Sequence, residues 1–337
     1  MTVLRPLRIL LWPASLFYGL ISGTRASLYS TGWLKRKRLQ GAVISVGNLT
    51  VGGTGKTPFV MWLAEKLLQQ GKRVVILSRG YRGSDGTSDE VELMRSRLEN
   101  RVAFGVGKDR YAEGRRIESQ QPLDVFILDD GFQHLQLARD LDILLIDASR
   151  PLGRQLLLPA GPMREPVSAM KRAGMIVFTR TEKASGAEKA IRALSNLPVF
   201  AACTRVRGFR QAGVSSDSTL LLSAADLGAG PFFVFCGIGN PEAFIGDLQR
   251  SGIALAGRRF FADHHRYTLG DVRAIEQAAK IVGANALLTT EKDSWNLREV
   301  KFSRLPVFSS IIELEIAEEA ALVSAVSQVI EARGAIV

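Results

Sequence analysis

The sequence predicts an α/β fold, with a parallel sheet covered by helices, a second and smaller α/β domain, and an N-terminal helix. Three observations carry this prediction. Short apolar runs alternate along the chain with helical patterns, which is the arrangement that builds a parallel sheet. The hydrophobic content of 46% and the charged content of 23% are those of a globular protein. A chain of 337 residues is long enough for one large domain or two moderate ones.

The stretch from residue 42 to residue 71 contains the clearest local signal. Residues 42–46 form a β-branched apolar run bounded by turn residues, which predicts a buried strand, and residues 57–70 have apolar side chains at helical spacing. The segment between them ends in Gly-Lys-Thr, as does the phosphate-binding P-loop pattern. We predict that nucleotide binds to eight consecutive residues of this segment: Thr50, Val51, Gly52, Gly53, Thr54, Gly55, Lys56 and Thr57.

The residue types of this loop suit a phosphate. Its glycines have no Cβ, so backbone N–H groups can point inward, and the N-terminus of the following helix adds partial positive charge. We expect Lys56 to reach the β- and γ-phosphates and Thr57 to offer its hydroxyl to Mg²⁺. Thr50 stands where the pattern has its first glycine. The loop predicts a P-loop NTPase-like sheet that binds ATP with Mg²⁺.

A second signal lies at residues 124–130, where an apolar run ends in Asp129 and Asp130. P-loop enzymes present a Mg²⁺-binding carboxylate at such a strand end. Adjacent residues of an extended strand point to opposite sides, so one carboxylate would face the metal and the other a loop or substrate. The sequence leaves open which of the two contacts Mg²⁺. The similar run at residues 141–147 ends in Asp147, which we interpret as a structural acid.

Residues 154–166 contain prolines and glycine, which excludes a regular element. This loop carries Arg164 beside Glu165, and the guanidinium of Arg164 suits a phosphate. A solvated turn is the alternative for this stretch.

The N-terminal residues are basic and apolar. The chain has a net charge of +11, yet no Asp or Glu precedes Glu65. Residues 9–21 are almost wholly apolar, but the run is too short to span a bilayer and Pro13 interrupts it. No clean small-residue site follows, which disfavours a secretory signal. We predict a helix on the membrane surface, with basic flanks on anionic headgroups; a helix packed on the domain is the alternative.

Other partners and compartments are less compatible with the composition. The aromatic residues of the N-terminus lie in an apolar run and not among basic residues, so we expect no nucleic-acid partner. No obligate protein partner is evident. The two cysteines, Cys203 and Cys236, form no disulfide framework, which is consistent with a reducing, ATP-containing compartment.

The remaining pattern predicts further strands and helices and a division into domains. The alternation weakens from about residue 198 to 231, and a second α/β unit follows. We predict three parts: residues 1–30 as the membrane-interface helix, 31–215 as the P-loop domain and 216–337 as the smaller domain. In the smaller domain we predict strands at residues 232–236 and 286–290, helices at 242–250, 269–282 and 315–333, and a turn at 291–293.

Two of the three histidines, His264 and His265, are adjacent in a polar loop of the smaller domain. Asp263 precedes them, and a carboxylate can orient and charge an imidazole. The pair lacks the cysteine or the i, i+4 partner of a zinc site. We interpret these residues as functional.

Two other classes of protein contain a P-loop. A GTPase switch would have Asp-x-x-Gly after the second metal strand, whereas Asp129-Asp-Gly131 is one residue too short. It would also have Asn-Lys-x-Asp, whereas residues 291–293 lack the asparagine and the spacer. A nucleic-acid-binding ATPase is the other alternative, and stimulation by DNA or RNA would distinguish it.

Eight motifs occur in an order that resembles one family. They are PxSxxYG (residues 13–19), VGNLTxGGxGKTP (46–58), SRGY (78–81), DDGFQH (129–134), LPAGPxREP (158–166), FCGIGNP (235–241), DHH (263–265) and TTEKD (289–293). Together they resemble the tetraacyldisaccharide 4'-kinase family of lipid A biosynthesis, from about residue 7 to residue 298. That family's loop likewise lacks the first glycine, which accounts for Thr50.

The resemblance implies an enzyme that transfers the γ-phosphoryl group of ATP, with Mg²⁺, to the 4'-hydroxyl of tetraacyldisaccharide 1-phosphate. The product would be the lipid IVA intermediate of lipid A biosynthesis. The resemblance also implies a peripheral or monotopic location on the cytoplasmic face of a Gram-negative inner membrane, held through the N-terminal helix.

Roles follow from the family's motifs residue by residue. Lys56 and Thr57 would be the P-loop pair, Asp129 and Asp130 the metal acids, and Arg164 and Glu165 active-site residues. The family's catalytic acid lies in Gly-Asp-Glu-Pro, matched here by residues 88–91, whose flanking Gly and Pro are absent. The catalytic residues implied in this way are Lys56, Asp89 as base, Asp130, Arg164 and His264, with His265 as the alternative histidine.

Overall fold

The computed structural model describes residues 5–80, 89–150, 155–183, 197–212, 221–228, 230–297, 300 and 302–335. It divides the chain into two compact units. The first unit contains Met1–Cys203 and Glu315–Val337, and the second contains Thr204–Leu314. Both units are built from strands and covering helices, so the predicted α/β fold is confirmed.

The first unit is a parallel sheet with strand order β3-β2-β4-β1-β5-β6-β7. All residues of its strands β1, β2, β4, β5 and β6 are buried, which explains why these strands are continuous apolar runs and do not alternate. The elements are α1 (Arg5–Ser30), β1 (Ala42–Asn48), α2 (Lys56–Gln69), β2 (Val74–Ser78), α3 (Asp89–Arg97), β3 (Ala103–Val106), α4 (Arg110–Glu118), β4 (Val125–Asp129), β5 (Leu141–Asp147), β6 (Met175–Thr179) and the first residues of β7 (Val199–Gln211), which contains the unit boundary.

The register of β1 and β4 brings the predicted site together. β4 pairs in parallel with β1, and Val46 lies opposite Asp129. The carboxyl ends of both strands therefore reach the same edge of the sheet, which is where open α/β sheets bind ligands. The loop after β1 and the turn after β4 are neighbours at this edge.

The second unit contains a second parallel sheet segment, in which β11, β10, β8 and β9 are neighbours in that order. Phenylalanines of β8 supply much of its core on both faces, including Phe232 and Phe235. Its elements are β8 (Phe232–Cys236), α5 (Pro241–Arg250), β9 (Leu255–Phe260), α6 (Leu269–Ile281), β10 (Ala286–Thr290), α7 (Glu291–Asn296) and β11 (Val307–Ile316).

The following elements differ from the sequence prediction, as does β11, for which the sequence predicts no strand. Residues 291–293 begin the short helix α7 and are not a turn, because the Thr290 hydroxyl accepts a hydrogen bond from the Asp293 N–H at 3.1 Å and caps the helix. The last helix, α8, spans Glu319–Gly334 and begins after β11, whereas a helix from residue 315 was predicted. Burial in β7 is irregular along the strand, so its apolar pattern is weak, and it was not predicted.

The unit boundaries lie at 203/204 and 314/315. The prediction placed the boundary between the two α/β domains at 215/216, which lies outside the described residues. The chain returns to the first unit because α8 packs against α2 and β1. Leu322 and Val326 of α8 are fully buried there, and Trp62 Nε1 of α2 donates to Glu319 Oε2 at 3.3 Å.

Candidate active site

The predicted nucleotide loop lies between β1 and α2 and is tied down at its centre. Asn48, the last residue of β1, donates from Nδ2 to Thr54 Oγ1 at 2.8 Å. The Thr179 hydroxyl of β6 donates to the Thr54 carbonyl at 3.0 Å. Gly55 ends the loop with φ +82°, a conformation that glycine adopts without strain. The loop is thus held by two strands before the helix starts.

Lys56 is the first residue of α2, and its side chain is only 15% exposed. Its Nζ lies 3.3 Å from Asn48 Oδ1 and 3.5 Å from Asp130 Oδ1. These contacts hold the ammonium group at the carboxyl ends of β1 and β4. Thr57 follows in the same first turn of the helix.

Asp129 is the last residue of β4 and is 4% exposed. Its Oδ2 accepts a hydrogen bond from Ser78 Oγ at 3.2 Å, while its buried Oδ1 has no hydrogen-bond partner among the described residues. Burial raises the pKa of Asp129 to about 7, and the negative charges of Glu90 and Asp130 add to this effect. A buried carboxylate with one open oxygen suits a divalent cation, which would offset the cost of burying the charge.

Asp130 has a different environment from its neighbour. Its φ of +50° takes it out of the strand, so this turn, and not alternation along an extended strand, separates the two side chains. Arg164 Nη1 donates to both carboxylate oxygens, at 2.8 and 2.7 Å. Burial alone would raise the pKa of Asp130, but the charges of Lys56 and Arg164 lower it. Asp130 is therefore an anion between two cations.

The loop with Arg164 and Glu165 is fastened to the nucleotide loop. The Arg164 N–H donates to the Leu49 carbonyl at 2.7 Å. Glu165, 6% exposed, binds Arg172 at 2.6 Å and accepts from Gln133 Nε2 at 3.0 Å. The Glu165 carboxylate is thus engaged by its own neighbours and supports the loop that carries Arg164.

Three residues of the site were not assigned from the sequence. Asn48 and Gln133 lie inside the quoted motifs, but nothing in the pattern showed that they link the nucleotide loop, Lys56 and Glu165. Arg110 begins α4 and is 6% exposed. Burial and the charge of Arg79 lower its pKa, while the Asp129 and Asp130 carboxylates oppose this shift. A charged helix gave no sign that one of its arginines is buried near these acids.

Asp89 is the first residue of α3 and is partly buried. The next residue, Glu90, influences the pKa of Asp129, so the start of α3 is electrostatically coupled to the end of β4. Tyr81 and Ser88, which belong to two of the quoted motifs, lie outside the described residues. Asp147 accepts hydrogen bonds from Arg180 and Ser149, consistent with its interpretation as a structural acid.

The predicted histidines lie in the second unit, in the turn after β9. His264 has a φ of +60°, and its N–H donates to the Gly237 carbonyl at 3.1 Å. Lys292 Nζ lies 3.1 Å from Asp263 Oδ1 and 3.3 Å from His264 Nε2. Because an ammonium group can only donate, Nε2 of His264 accepts this hydrogen bond. The network therefore assigns the ring proton of His264 to Nδ1.

His265 is enclosed by other side chains. Its ring stacks on Phe261 at a centroid distance of 4.5 Å and meets the edge of Tyr267 at 5.0 Å. Its Nε2 lies 3.1 Å from Asp271 Oδ2, a carboxylate that also caps α6. These contacts favour a structural role for His265 and leave His264 as the better candidate for catalysis.

Asp293 fastens this turn to the second sheet. It is fully buried and accepts hydrogen bonds from Gly237 N–H (2.9 Å), Tyr267 OH (2.9 Å) and Thr290 Oγ1 (2.6 Å). Burial raises its pKa, and the three donors oppose the shift. The backbone of Gly237, which also accepts from His264, is thereby held in place.

A glycine-containing loop between a parallel strand and a helix, with lysine at the helix start and a buried aspartate on the neighbouring strand of the sheet, defines a P-loop phosphate-binding enzyme. The sequence profile of the family described as Tetraacyldisaccharide-1-P 4'-kinase matches residues 7–331. The chain therefore belongs to this family of kinases, which are phosphotransferases that act on a hydroxyl group.

Individual relatives agree with this assignment. The tetraacyldisaccharide 4'-kinase of Geobacter sulfurreducens is 38% identical over 340 residues, which cover 96% of this chain and 93% of that protein. That of Geobacter metallireducens is 38% identical over 334 residues, covering 93% and 95%. A crystal structure of LpxK from Aquifex aeolicus in complex with ATP matches with a TM-score of 0.75 and 32% identity, covering 96% of this chain and 99% of that one.

Proposed function

We propose that this chain transfers the γ-phosphoryl group of ATP to the 4'-hydroxyl of tetraacyldisaccharide 1-phosphate, which yields the lipid IVA intermediate of lipid A biosynthesis. The names of the relatives and the family profile support the acceptor and the donor. One observation of the site carries the reaction type. Lys56, at the start of α2, and Arg164, in a separate loop, converge on Asp130 at 3.5 and 2.7 Å.

This convergence fits the electrostatics of phosphoryl transfer. Most of the activation barrier arises from negative charge that spreads over the transferred phosphoryl group, and positioned cations stabilise that charge. Lys56 and Arg164 are held in place before substrate arrives, so they need little reorganisation during the reaction. Asp130 keeps both cations oriented and prevents their mutual repulsion from separating them.

We also propose Mg²⁺ as the cofactor. Asp129 and Thr57 would hold it, with Asp130 as the adjacent acid, and the open oxygen of Asp129 supports this choice. Bound Mg²⁺ would neutralise phosphate charge at this end of the sheet. Among the described residues no cluster of three His, Cys, Asp or Glu side chains could form an all-protein metal cage. Mg²⁺ in kinases takes one or two carboxylates plus phosphates, so the residues present fit it.

Asp89 is proposed as the base that takes the proton of the acceptor hydroxyl, and His264 as the histidine that assists transfer. An alcohol does not ionise at neutral pH, so a carboxylate must accept its proton as the new bond forms. Asp89 belongs to the first unit and His264 to the second. The motif around Asp89 departs from the family's pattern at both flanks.

A membrane surface is proposed as the site of action, on the cytoplasmic face of the inner membrane. Within the described residues no helix is long and apolar enough to cross a bilayer. Helix α1 nevertheless exposes large apolar side chains, among them Leu10 (75%), Phe17 (65%) and Leu20 (66%). Exposed apolar residues on one helix with basic neighbours suit insertion into the headgroup region. Phe17→Glu with Leu20→Glu should release the protein from anionic vesicles.

The reaction is tested with γ-labelled ATP, Mg²⁺ and tetraacyldisaccharide 1-phosphate in detergent micelles. Wild type should label the lipid, and Lys56→Ala should not, while Lys66→Ala, on the same helix but outside the loop, should remain active. Labelling by wild type but not by Asp89→Ala would support Asp89 as the base. Labelling by both would support the kinase activity but would assign the role of base to another carboxylate. ATP consumption without lipid labelling would contradict the proposed acceptor.

A further inference from the structure

Ser15 is an unusual residue of helix α1. It is 4% exposed and is the one buried side chain among residues 10–30 of this helix. Its neighbours Leu16 and Phe17 are 55% and 65% exposed. A helix that packs on a domain normally buries its apolar residues and exposes its polar ones. Helix α1 does the reverse at this point, so the Ser15 hydroxyl must form specific contacts with the residues that cover it.

The two shortest hydrogen bonds of Ser15 lie in the loop that precedes Arg164, and a longer one reaches the Leu11 carbonyl of its own helix at 3.3 Å. Its Oγ donates to the Leu157 carbonyl at 3.0 Å and accepts from the Ala160 N–H at 3.0 Å. Ala160 is fully buried, so water cannot replace this partner. One turn later in α1, a Cβ at Gly19 would lie 2.7 Å from Leu157 Cδ1, which shows how closely the helix approaches the loop.

The same loop contacts the nucleotide loop on its other side. The Val51 N–H donates to the Pro162 carbonyl at 2.8 Å, and Met163 forms a β-bridge with Thr50. The Arg164 N–H donates to the Leu49 carbonyl, and its guanidinium binds Asp130. Residues 157–163 therefore connect Ser15 directly to the start of the nucleotide loop and to Arg164.

A second contact of α1 reaches the other wall of the site. Arg25 Nη1 donates to the Gln133 carbonyl at 3.3 Å. Gln133 Nε2 donates in turn to the Asn48 carbonyl at 2.9 Å and to Glu165 Oε1 at 3.0 Å. Ser15 and Arg25 are ten residues apart, or about 15 Å along the helix. Helix α1 thus braces two loops of the site at two separate points.

We propose that Ser15 is a positioning residue for phosphoryl transfer, because its buried hydroxyl aligns the 157–163 loop and through it Arg164 and the start of the nucleotide loop. The inference rests on the proposed function, because its expected effect is a change in kcat of the proposed kinase reaction. It assigns α1 a role inside the active site that is separate from contact with lipid. Loss of the hydroxyl would leave the Ala160 N–H and the Leu157 carbonyl without these partners, and the loop would shift to recover them.

The first test compares Ser15→Ala with Ser22→Ala, whose hydroxyl donates to Gly19 O within the same helix. Ser15→Ala should lower kcat about tenfold, the equivalent of one hydrogen bond, with little change in KM for ATP. Ser22→Ala should match wild type, and Ser15→Thr, which keeps a hydroxyl, should recover part of the loss. Both alanine variants should bind anionic vesicles like wild type, because the exposed apolar face is unchanged. A Ser15→Ala protein with wild-type kcat would overturn the inference.

The second test asks whether Ser15 acts through Arg164. In an Arg164→Ala background, Ser15→Ala should cause a clearly smaller loss than in wild type, since coupled residues are not additive and only the path through the nucleotide loop is left. A full further tenfold loss would overturn the proposed path. Hydrogen exchange of the Ala160 amide, faster in Ser15→Ala than in wild type, measures the loop without any kinase assay. If wild type fails to label the lipid, the proposed function fails, whereas unchanged exchange at Ala160 would refute the role of Ser15.

Discussion

Two buried aspartates, Asp129 in the first unit and Asp293 in the second, lie at or just after the carboxyl ends of parallel strands, and burial raises the pKa of both. They differ in their hydrogen bonds. Asp293 accepts from three donors within 2.9 Å. Asp129 accepts from one, and its buried Oδ1 has no partner among the described residues. A buried carboxylate whose oxygens are satisfied holds a fold together, whereas one with an open oxygen is prepared for a ligand.

The largest effect should come from Asp129→Asn. The amide keeps the shape but loses the charge that the proposed Mg²⁺ requires, so phosphoryl transfer should fall about 10³-fold. Thermal stability should be unchanged or higher, because a buried charge with an open oxygen is removed. Asp124→Asn, before the start of the same strand and paired with Arg73, is the matched control and should stay active. Equal activity of Asp129→Asn and wild type would contradict the conclusion that the open oxygen of Asp129 marks a ligand site.

Asp293→Ala should have the opposite profile. It leaves the Gly237 N–H, the Tyr267 hydroxyl and the Thr290 hydroxyl without an acceptor, which should cost about 3 kcal/mol of unfolding free energy. Affinity for ATP should be retained under native conditions, since the nucleotide loop lies in the other unit. Denaturant unfolding and nucleotide titration measure the two quantities. Asp263→Asn, at a more exposed carboxylate, should unfold like wild type.

His134 is a partly buried titratable residue, and its protonation should lower the stability of the protein at acidic pH. Burial, with the charges of Arg110 and Arg139, lowers its pKa to about 4. Because folding lowers the pKa of this histidine, its protonation opposes folding. The stability of the protein therefore has its full value above the unfolded pKa, near 6.5, and decreases as the pH falls from about 6.5 to about 4. We expect about 2 kcal/mol of stability to be lost over this range, and less in His134→Gln. Parallel pH profiles for the two proteins would contradict this assignment.

The smallest effect concerns the tautomer of His264. In wild type, ¹⁵N spectra of the three histidines should show His264 protonated at Nδ1 and unprotonated at Nε2, because Lys292 donates to Nε2. Lys292→Met should lose this preference and lower transfer about tenfold, the equivalent of one hydrogen bond to a charged group. Lys280→Met, on α6, is the control. Protonation of His264 at Nε2 in wild type would exclude the proposed hydrogen bond.

Much of the first unit could be predicted because its strands are buried on both faces, so they appear in the sequence as continuous apolar runs. The nucleotide loop and the two adjacent aspartates carry residue types that few other structures require together. β7 and β11 could not be predicted, since their burial follows no simple alternation. The last helix was consequently predicted to begin too early.

Within the candidate site, sequence reasoning singled out Lys56, Asp130 and Arg164, but it missed the buried Arg110 and the polar residues that hold the loops. Asn48 and Gln133 act through hydrogen bonds between loops, and such contacts leave no periodic pattern in the chain. The difference between His264 and His265 depends on which ring is packed between aromatic neighbours, and this becomes visible only in three dimensions. Asp89→Ala tests the proposed role of Asp89, and Lys292→Met tests the hydrogen bond that orients His264.

The position of the new phosphate on the lipid product tests the central claim most directly. Wild-type protein, ATP, Mg²⁺ and tetraacyldisaccharide 1-phosphate would be incubated in micelles, and the purified product examined by ¹H–³¹P correlation NMR. The account predicts a second phosphate monoester coupled to the proton at carbon 4' of the distal sugar. A phosphate at another position, or an unchanged lipid with ATP consumed, would contradict it.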